Sequence, residues 1–276
     1  MIIIAKIKIY IFVSSCLCVQ KTQIMLSKNK IKFIRSLEQR KFRNETGCFL
    51  AEGNKTVADM LPYFECVLLV AKTSWLATKG DIKANELLLA GDREMERASL
   101  LKNPQDVLAV FKKSSYTLDY SMLCDQLTLA LDGIQDPGNL GTIIRIAAWF
   151  GIPDIICSPN TVELYNPKVV QATMGALSRV RVHILDLNEC MKQVGELPVY
   201  GTFPEGASIY KQPLTSYGLI VMGNEGNGIT PAIDPYISQR LCIPHFPPEQ
   251  PTSESLNVAV ATAIVCGEFR RREVVS

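Results

Sequence analysis

From residue 126 to residue 271 the chain repeats one pattern: a short unbroken apolar run, a polar or glycine-rich turn, then a helix-like segment. The apolar runs fall at 127–131, 154–157, 181–185, 199–202, 219–222 and 241–243. Helical patterns lie at 139–150, from Asn166-Pro167, after 185, from Pro231, and at 255–271. A strand that is apolar on both sides is stable only where both faces of its sheet are covered, and helices between strands supply the crossovers that parallel pairing needs. This half is therefore predicted to be an α/β unit with a parallel sheet. Asn166 caps one of its helices, with Pro167 in the first turn.

Residues 25–120 read as a smaller α/β unit. A basic amphipathic helix is predicted at 27–43, a strand at 49–53 closed by Gly53, a helix at 54–60, strands at 66–71 and 107–111, and a weaker one at 87–89. Residues 112–125 form the linker. Lys28, Lys30, Lys32, Arg35, Arg40, Lys41, Arg43 and Lys55 crowd the start of this unit, as a solvated helix face or as an RNA-facing patch. The net charge of the whole chain is only +2, so the global balance does not by itself point to nucleic acid. With 276 residues, 47% of them apolar, the chain has material for two domains.

Residues 1–24 do not match the rest. Lys6 and Lys8 interrupt an apolar leader that is too short for a membrane span. Val13-Ser14-Ser15-Cys16 resembles a lipoprotein cleavage site, but nothing downstream looks secreted; the reading favoured is an upstream extension, with translation starting at Met25 rather than Met1. Nine scattered cysteines without a CxxC pair, and two distant histidines (His183 and His245), argue against a metal site. They fit reduced thiols in a cytoplasmic protein.

Three strand ends carry unusual residues. After the run at 127–131 comes Asp136-Pro137-Gly138-Asn139-Leu140-Gly141-Thr142-Ile143-Ile144-Arg145, a turn into a helix with one cation among isoleucines and alanines. After 219–222 comes Gly223-Asn224-Glu225-Gly226-Asn227-Gly228, in which glycines let backbone approach a ligand. It is neither a dinucleotide fingerprint nor a P-loop. After Ile243-Pro244 a proline-rich stretch, 244–254, leads to Ser255-Leu256-Asn257-Val258. Ser253 or Ser255 is the predicted helix cap, which leaves Asn257 as a polar residue in the first turn that needs a partner.

Taken together and in this order, the three blocks resemble the SpoU/TrmH family of RNA ribose 2′-O-methyltransferases, in the SPOUT superfamily. Gln171-Ala172-Thr173-Met174-Gly175-Ala176-Leu177 also resembles the family's small-residue helix. The resemblance covers about 126–271, and 49–53 looks like part of the substrate-binding domain fused upstream in many members. The proline-rich stretch is a departure, long for the family.

The resemblance implies a SPOUT domain with a trefoil knot at 121–276, behind an RNA substrate-binding domain at 25–120. It implies a homodimer; no metal and no membrane are expected from the cysteine spacing and the short leader. The reaction implied is methyl transfer from S-adenosylmethionine to a ribose 2′-hydroxyl, in rRNA by preference, with tRNA or a catalytically silent RNA-binding relative as alternatives. Cofactor contacts are expected from Thr202, Met222, Gly223, Gly226, Ile243 and Leu256. Catalytic roles are expected for Arg145, Asn139, Glu225, Ser255 and Asn257. The family usually makes the arginine the base. Neutralising a guanidine with a reference pKa of about 12.5–13.8 costs roughly 7.5–9 kcal/mol near pH 7, however. A charged Arg145 that grips phosphate and stabilises the developing alkoxide is the other reading.

Overall fold

The computed structural model describes residues 26–247 and 255–275; the expected upstream extension at 1–24 and residues 248–254 of the proline-rich stretch lie outside them. The first unit runs α1 (Lys28–Ser36), α2 (Arg40–Thr46), β1 (Cys48–Glu52), α3 (Asn54–Met60), β2 (Cys66–Ala71), α4 (Thr73–Leu76), β3 (Leu87–Leu89), α5 (Asp92–Ala98) and β4 (Val107–Lys112). Its sheet is mixed, in the order β1-β4-β2-β3, with β4 antiparallel to both β1 and β2 and β3 parallel to β2. Side chains alternate between its faces. Phe49, Ala51, Leu69, Ala71, Ala109 and Phe111 turn one way, while Leu50, Leu68, Val70, Leu108 and Val110 join Ile31, Ile34 and Met95 on the other. Both faces are therefore covered, which is why the strands read as unbroken apolar runs.

The single helix expected at 27–43 is two helices, broken between Ser36 and Arg40. On one straight helix Leu37 and Arg43 would point about 120° apart. The break lets both go inside: Leu37 is fully buried and Arg43 is 2% exposed.

The second unit runs β5 (Leu127–Leu131), α6 (Pro137–Trp149), β6 (Asp154–Cys157), α7 (Pro167–Thr173), β7 (Arg181–Ile184), α8 (Leu187–Gln193), β8 (Val199–Ser208), β9 (Gly218–Met222), β10 (Gln239–Cys242) and α9 (Val258–Val275). Six parallel strands take the order β10-β8-β9-β5-β6-β7. The chain moves outward from β5 to β7, then returns to build the other half from β8 to β10. The reversal leaves β5 beside β9. In open α/β sheets the crevice at such a switch point, at the carboxyl ends of the strands, is where ligands bind. The amino ends are tied separately. Asp154, at the start of β6, accepts from Arg181 Nε (2.8 Å), His183 Nε2 (2.9 Å) and Gln126 Nε2 (2.7 Å). Burial alone would raise this carboxyl, but the hydrogen bonds from Arg181, His183 and Gln126 outweigh it and hold it well below the usual carboxylate range.

Two elements differ from expectation. Pro231 does not open a helix; the segment holds only a 3₁₀ turn, Asp234–Tyr236. Pro235 has no N–H to give and would break a longer helix. β8 continues to Ser208, past Pro204 and Gly206, which hide it from a search for apolar runs.

Gly141 explains itself through packing. A Cβ there would lie 2.4 Å from Ala172 Cβ and 2.8 Å from the Val169 carbonyl oxygen, so α6 and α7 meet at this glycine. That close approach offsets the roughly 1 kcal/mol that glycine costs inside a helix.

The two units share one apolar core. Phe49 of β1 lies against Tyr165 with ring centroids 4.5 Å apart, and Tyr165 also hydrogen-bonds both backbone groups of Ser114 in the linker at 2.9 Å. Beside this contact, the buried guanidinium of Arg43 donates to the Leu37 and Glu38 carbonyls (2.8 and 2.7 Å) and forms a two-point ion pair with Glu163 of the second unit, Nε–Oε1 being 3.1 Å. Burial raises the Glu163 carboxyl, but Arg43 and Lys113 outweigh that and hold it below its ordinary value. A depressed carboxyl contributes stability above its unfolded value, about pH 4.3, and loses it as pH falls through the folded value. Arg43→Met should therefore cost about 1.5–3 kcal/mol at pH 7, because it leaves the partly buried Glu163 carboxylate with Lys113 alone, 3.5 Å away. Chemical denaturation should show the gap from the unmodified protein at neutral pH and its narrowing below about pH 4.

Candidate functional site

The first block is built residue by residue at the carboxyl end of β5. Asp136 caps α6, its Oδ1 accepting the Asn139 N–H at 2.8 Å, and Pro137 occupies the first turn, where its missing N–H costs nothing. Leu140 enters the core, and Asn139 is left pointing toward the neighbouring loop after β9.

That loop is folded back on itself. Asn224 and Gly228 exchange backbone hydrogen bonds of 3.0 and 2.8 Å. The Asn224 carbonyl oxygen Oδ1 accepts from Gly226 N at 2.8 Å, and its Nδ2 donates across to the Gly133 carbonyl at 2.7 Å, so the β9 loop is fastened to the β5 loop. The fold-back requires Gly223, where a Cβ would sit 2.3 Å from the Gly228 carbonyl carbon. The third block arrives from 118 residues beyond Asn139. α9 begins at Val258, not at Ser255, and Asn257 is itself the cap: its Oδ1 accepts from Ala259 N (3.1 Å) and Val260 N (3.3 Å). The partner that Asn257 needed is its own helix on one side and the site on the other.

The three blocks converge on Glu225. Its Oε1 accepts from Asn139 Nδ2 (3.0 Å), Asn257 Nδ2 (2.8 Å) and the Val258 N–H (3.2 Å), and Asn257 Nδ2 also donates to Asn139 Oδ1 at 2.9 Å. A carboxylate at a helix N-terminus is favoured by the unsatisfied N–H groups and the helix dipole. Glu225 thus caps a helix as well as facing the site; the helix is the last one, not the next in sequence. A cleft of 270 Å³ opens here, lined by Ile134, Gln135, Asn139, Glu225, Gly226 and Val258 among others.

The remaining expected residues are distributed around this centre. Met222 ends β9 and Gly223 and Gly226 follow it; Thr202 lies within β8, just past its last pairing with β9, and its Oγ1 donates to the Val221 carbonyl at 3.0 Å. Ile243 directly follows β10, the other neighbour of β8. Leu256 stands half-exposed beside Asn257, and Ser255 is exposed ahead of it. Exposed apolar surface flanked by free strand-end backbone suits a ligand with a flat aromatic base and a polar tail. Arg145 does not join the cluster. It lies six residues from Asn139, about 9 Å along the helix and on another side of it. It is exposed, with no hydrogen bond or ion pair among the described residues. Asn224 and Asp132 were missed as organisers. The legible signals were an asparagine two residues ahead of a glycine and an acid directly after an apolar strand. Among the described residues no group of His, Cys, Asp and Glu is arranged to hold a metal.

A parallel sheet with this switch point and this carboxylate cluster defines the SpoU class of methylases. The chain matches the SpoU rRNA Methylase family over residues 126–267 and belongs to it. Residues 28–109 match the MRM3-like substrate binding domain. The chain is 27% identical over 254 residues to the 23S rRNA (guanosine(2553)-2′-O)-methyltransferase RlmP of Bacillus subtilis, covering 90% of this chain and 99% of the relative. Among solved structures, a candidate RNA methyltransferase of the TrmH family from Porphyromonas gingivalis superposes with a TM-score of 0.80 at 40% identity, over 90% of this chain and 99% of that one. An AdoMet-bound rRNA methyltransferase from Sinorhizobium meliloti gives 0.77 at 28% identity, over 91% and 98%.

The loop geometry separates its glycines. Gly223→Ala should lower stability by about 1–3 kcal/mol, since its Cβ meets backbone. Gly226→Ala, whose nearest neighbour would be Asn224 Oδ1 at 3.4 Å, should stay within about 0.5 kcal/mol. Thermal melts of the two variants side by side check this.

Proposed function

We propose that this protein transfers a methyl group from S-adenosylmethionine to a ribose 2′-hydroxyl of ribosomal RNA. The observation that carries the reading is the Glu225 carboxylate held by Asn139, Asn257 and the α9 N-terminus. Three fixed donors leave it one orientation, which suits a group that must position a ribose rather than one that adapts to it. The match of residues 126–267 to the SpoU rRNA Methylase family supports an enzyme over a silent RNA-binding relative. The match of 28–109 to a substrate-binding domain, and the relatives named for rRNA, support rRNA over tRNA.

The bound cofactor would supply an electrophilic methyl group on a sulfonium. Thr202, Met222, Gly223, Gly226, Ile243 and Leu256 would hold it against the ends of β8, β9 and β10. Asn139, Glu225, Ser255 and Asn257 would orient the ribose so that the 2′-oxygen attacks in line. Strands β8, β9 and β10 side by side, with α9 returning to pack on α6, support the trefoil knot as the frame of this pocket. We place the RNA-binding domain at 25–120 and the methyltransferase domain at 121–276.

Arg145 acts as a fixed cation in this reading. Arg145 is exposed on α6, and a guanidinium presents a planar fork of donors that suits a phosphate. It shares an outward stripe of α6 with Ile146 and Trp149; Trp149 is 86% exposed. On α9, which packs beside α6, Val260 is 50% exposed and Ile264 partly so. An apolar face of two adjacent helices supports a homodimer that covers it and places Arg145 at the seam. No helix among the described residues is long and apolar enough to cross a membrane. All seven described cysteines are free, and burial pushes the thiols of Cys66, Cys157 and Cys266 up to about 12, which supports a cytoplasmic setting.

Two measurements test the proposal. With unmodified 23S rRNA and labelled S-adenosylmethionine, Arg145→Ala should lower turnover about 100-fold or more while leaving cofactor affinity unchanged. Rescue by Arg145→Lys would mark a fixed charge, and near-normal turnover of the alanine variant would remove Arg145 from the mechanism. Trp149→Glu should convert a dimer to a monomer in sedimentation velocity; an unchanged sedimentation coefficient would sink the dimer face.

A further inference from the structure

The hydrogen bonds on Oε1 hold only the tip of Glu225. Its root is held by a separate set. Asn224 directly precedes it, and the Asn224 side chain closes over it: Oδ1 accepts from Gly226 N at 2.8 Å and from Asn227 N at 3.2 Å. Glu225 is therefore the middle residue of a turn closed by its neighbour's side chain. Nδ2 of the same amide donates to the Gly133 carbonyl at 2.7 Å, across 91 residues of chain.

Gly133 is itself fixed from the far side. Its N–H donates to Ser158 Oγ at 2.8 Å. Ser158 lies in the loop after β6 and is 5% exposed; its own N–H donates to the Leu131 carbonyl at 3.0 Å, and its hydroxyl is 3.2 Å from Thr161 Oγ1. Gly133 has a φ of +69°, in the left-handed region, and a Cβ there would lie 3.0 Å from Asn160 Nδ2. Both of its backbone groups are thus taken, one by each neighbouring loop.

A chain of bonds, Ser158–Gly133–Asn224, joins the loops after β6, β5 and β9 and ends at the root of Glu225. The segment between β5 and α6 then holds Glu225 at both ends, through Gly133 at the root and Asn139 at the tip. One point of attachment fixes where a carboxylate is; two fix the direction in which it faces. Closure of the β9 loop does not depend on this chain, because the Asn224–Gly228 backbone pair and the bond from Thr230 N to Asp132 Oδ2 (2.6 Å) already fold and fasten it. Groups that orient a substrate must sit within about 0.5 Å of the productive geometry, and a misplacement of about 1 Å can cost roughly 100-fold in rate.

We propose that Asn224 and Ser158 are positioning residues for methyl transfer, acting through Glu225, with Ser158 as the remote anchor and Gly133 as the link between them. The proposal rests on the methyl-transfer reading above.

The test measures methylation of an unmodified 23S rRNA transcript at saturating labelled S-adenosylmethionine, with thermal melts and cofactor affinity by calorimetry. Asn224→Asp keeps an acceptor for Gly226 N and removes the donor to Gly133. It should lower kcat about tenfold or more, with cofactor affinity within about threefold of the unmodified protein. Ser158→Ala, which takes the partner from Gly133 N–H, should lower kcat about threefold or more. Because both act on one chain of bonds, the double variant should match Asn224→Asp alone to within about twofold. Gln126→Ala, which removes a hydrogen bond to Asp154 at the opposite ends of the strands, is the control for lost stability. Its melting temperature should fall about as far as that of Ser158→Ala, roughly 2–4 °C, with kcat unchanged. Rates of both single variants within about twofold of the unmodified protein, or losses that multiply in the double variant, would overturn the proposal and leave the methyl-transfer reading standing. A loss of kcat in Gln126→Ala as large as in Ser158→Ala would do the same. No methylation by the unmodified protein would overturn both.

Discussion

The carboxylate of Glu225 is the point on which the site depends. Its Oε1 is reached by Asn139, Asn257 and the first N–H of α9, from segments 86 and 32 residues away along the chain. Each donor also has a second duty. Asn139 sits in the capped first turn of α6, and Asn257 closes the first turn of α9. A single negative charge therefore aligns two helix N-termini with the loop after β9. Charge-assisted hydrogen bonds are about twice as strong as neutral ones, and a charge held by several of them loses its freedom to rotate. The loop after β9 and the first turns of α6 and α9 are consequently parts of one hydrogen-bonded unit.

A second constraint places the substrate-binding unit relative to that centre. The face of the first sheet that carries Phe49 and Phe111 has no helix of its own large enough to cover it, and Tyr165, Val169 and Leu177 of the second unit complete the layer. Arg43 and Glu163 then fix the orientation, because a buried two-point ion pair tolerates little rotation. One of the cations in the basic segment is thus spent on architecture. Lys30 pairs with Glu86 and Arg35 donates to the Ser99 carbonyl at 2.8 Å, while Lys28, Lys32 and Arg40 remain exposed. The exposed, unpaired charge of this segment is smaller than the sequence suggests.

Much of the fold was legible. The strands at 66–71, 87–89, 127–131 and 154–157 and the helix at 54–60 stand as read, since both-face burial leaves an unbroken apolar run and a turn residue at each end. Apart from the segment after Pro231, where a nearby proline is the reason, the misreadings share one cause: a local pattern was overridden by a distant partner. The helix at 27–43 breaks because Arg43 must reach Glu163. The start of α9 moves from Ser255 to Val258 because Asn257 caps the helix while Glu225 holds its other end. β8 runs on past Pro204 because β10 pairs with it. In the cluster, the structure brings Asn139, Glu225 and Asn257 together, while Arg145, expected from the sequence to act with them, lies apart. Helical geometry turns it away, toward an exposed face of α6.

By itself the sequence determined the layers, the parallel sheet and the family, because burial on both faces and the order of three short blocks are properties of neighbouring residues. Only the tertiary structure decided which of those residues act together. Hydrogen bonds as short as 2.8 Å between residues 32 to 118 apart depend on where the strand order reverses, and no local pattern records that.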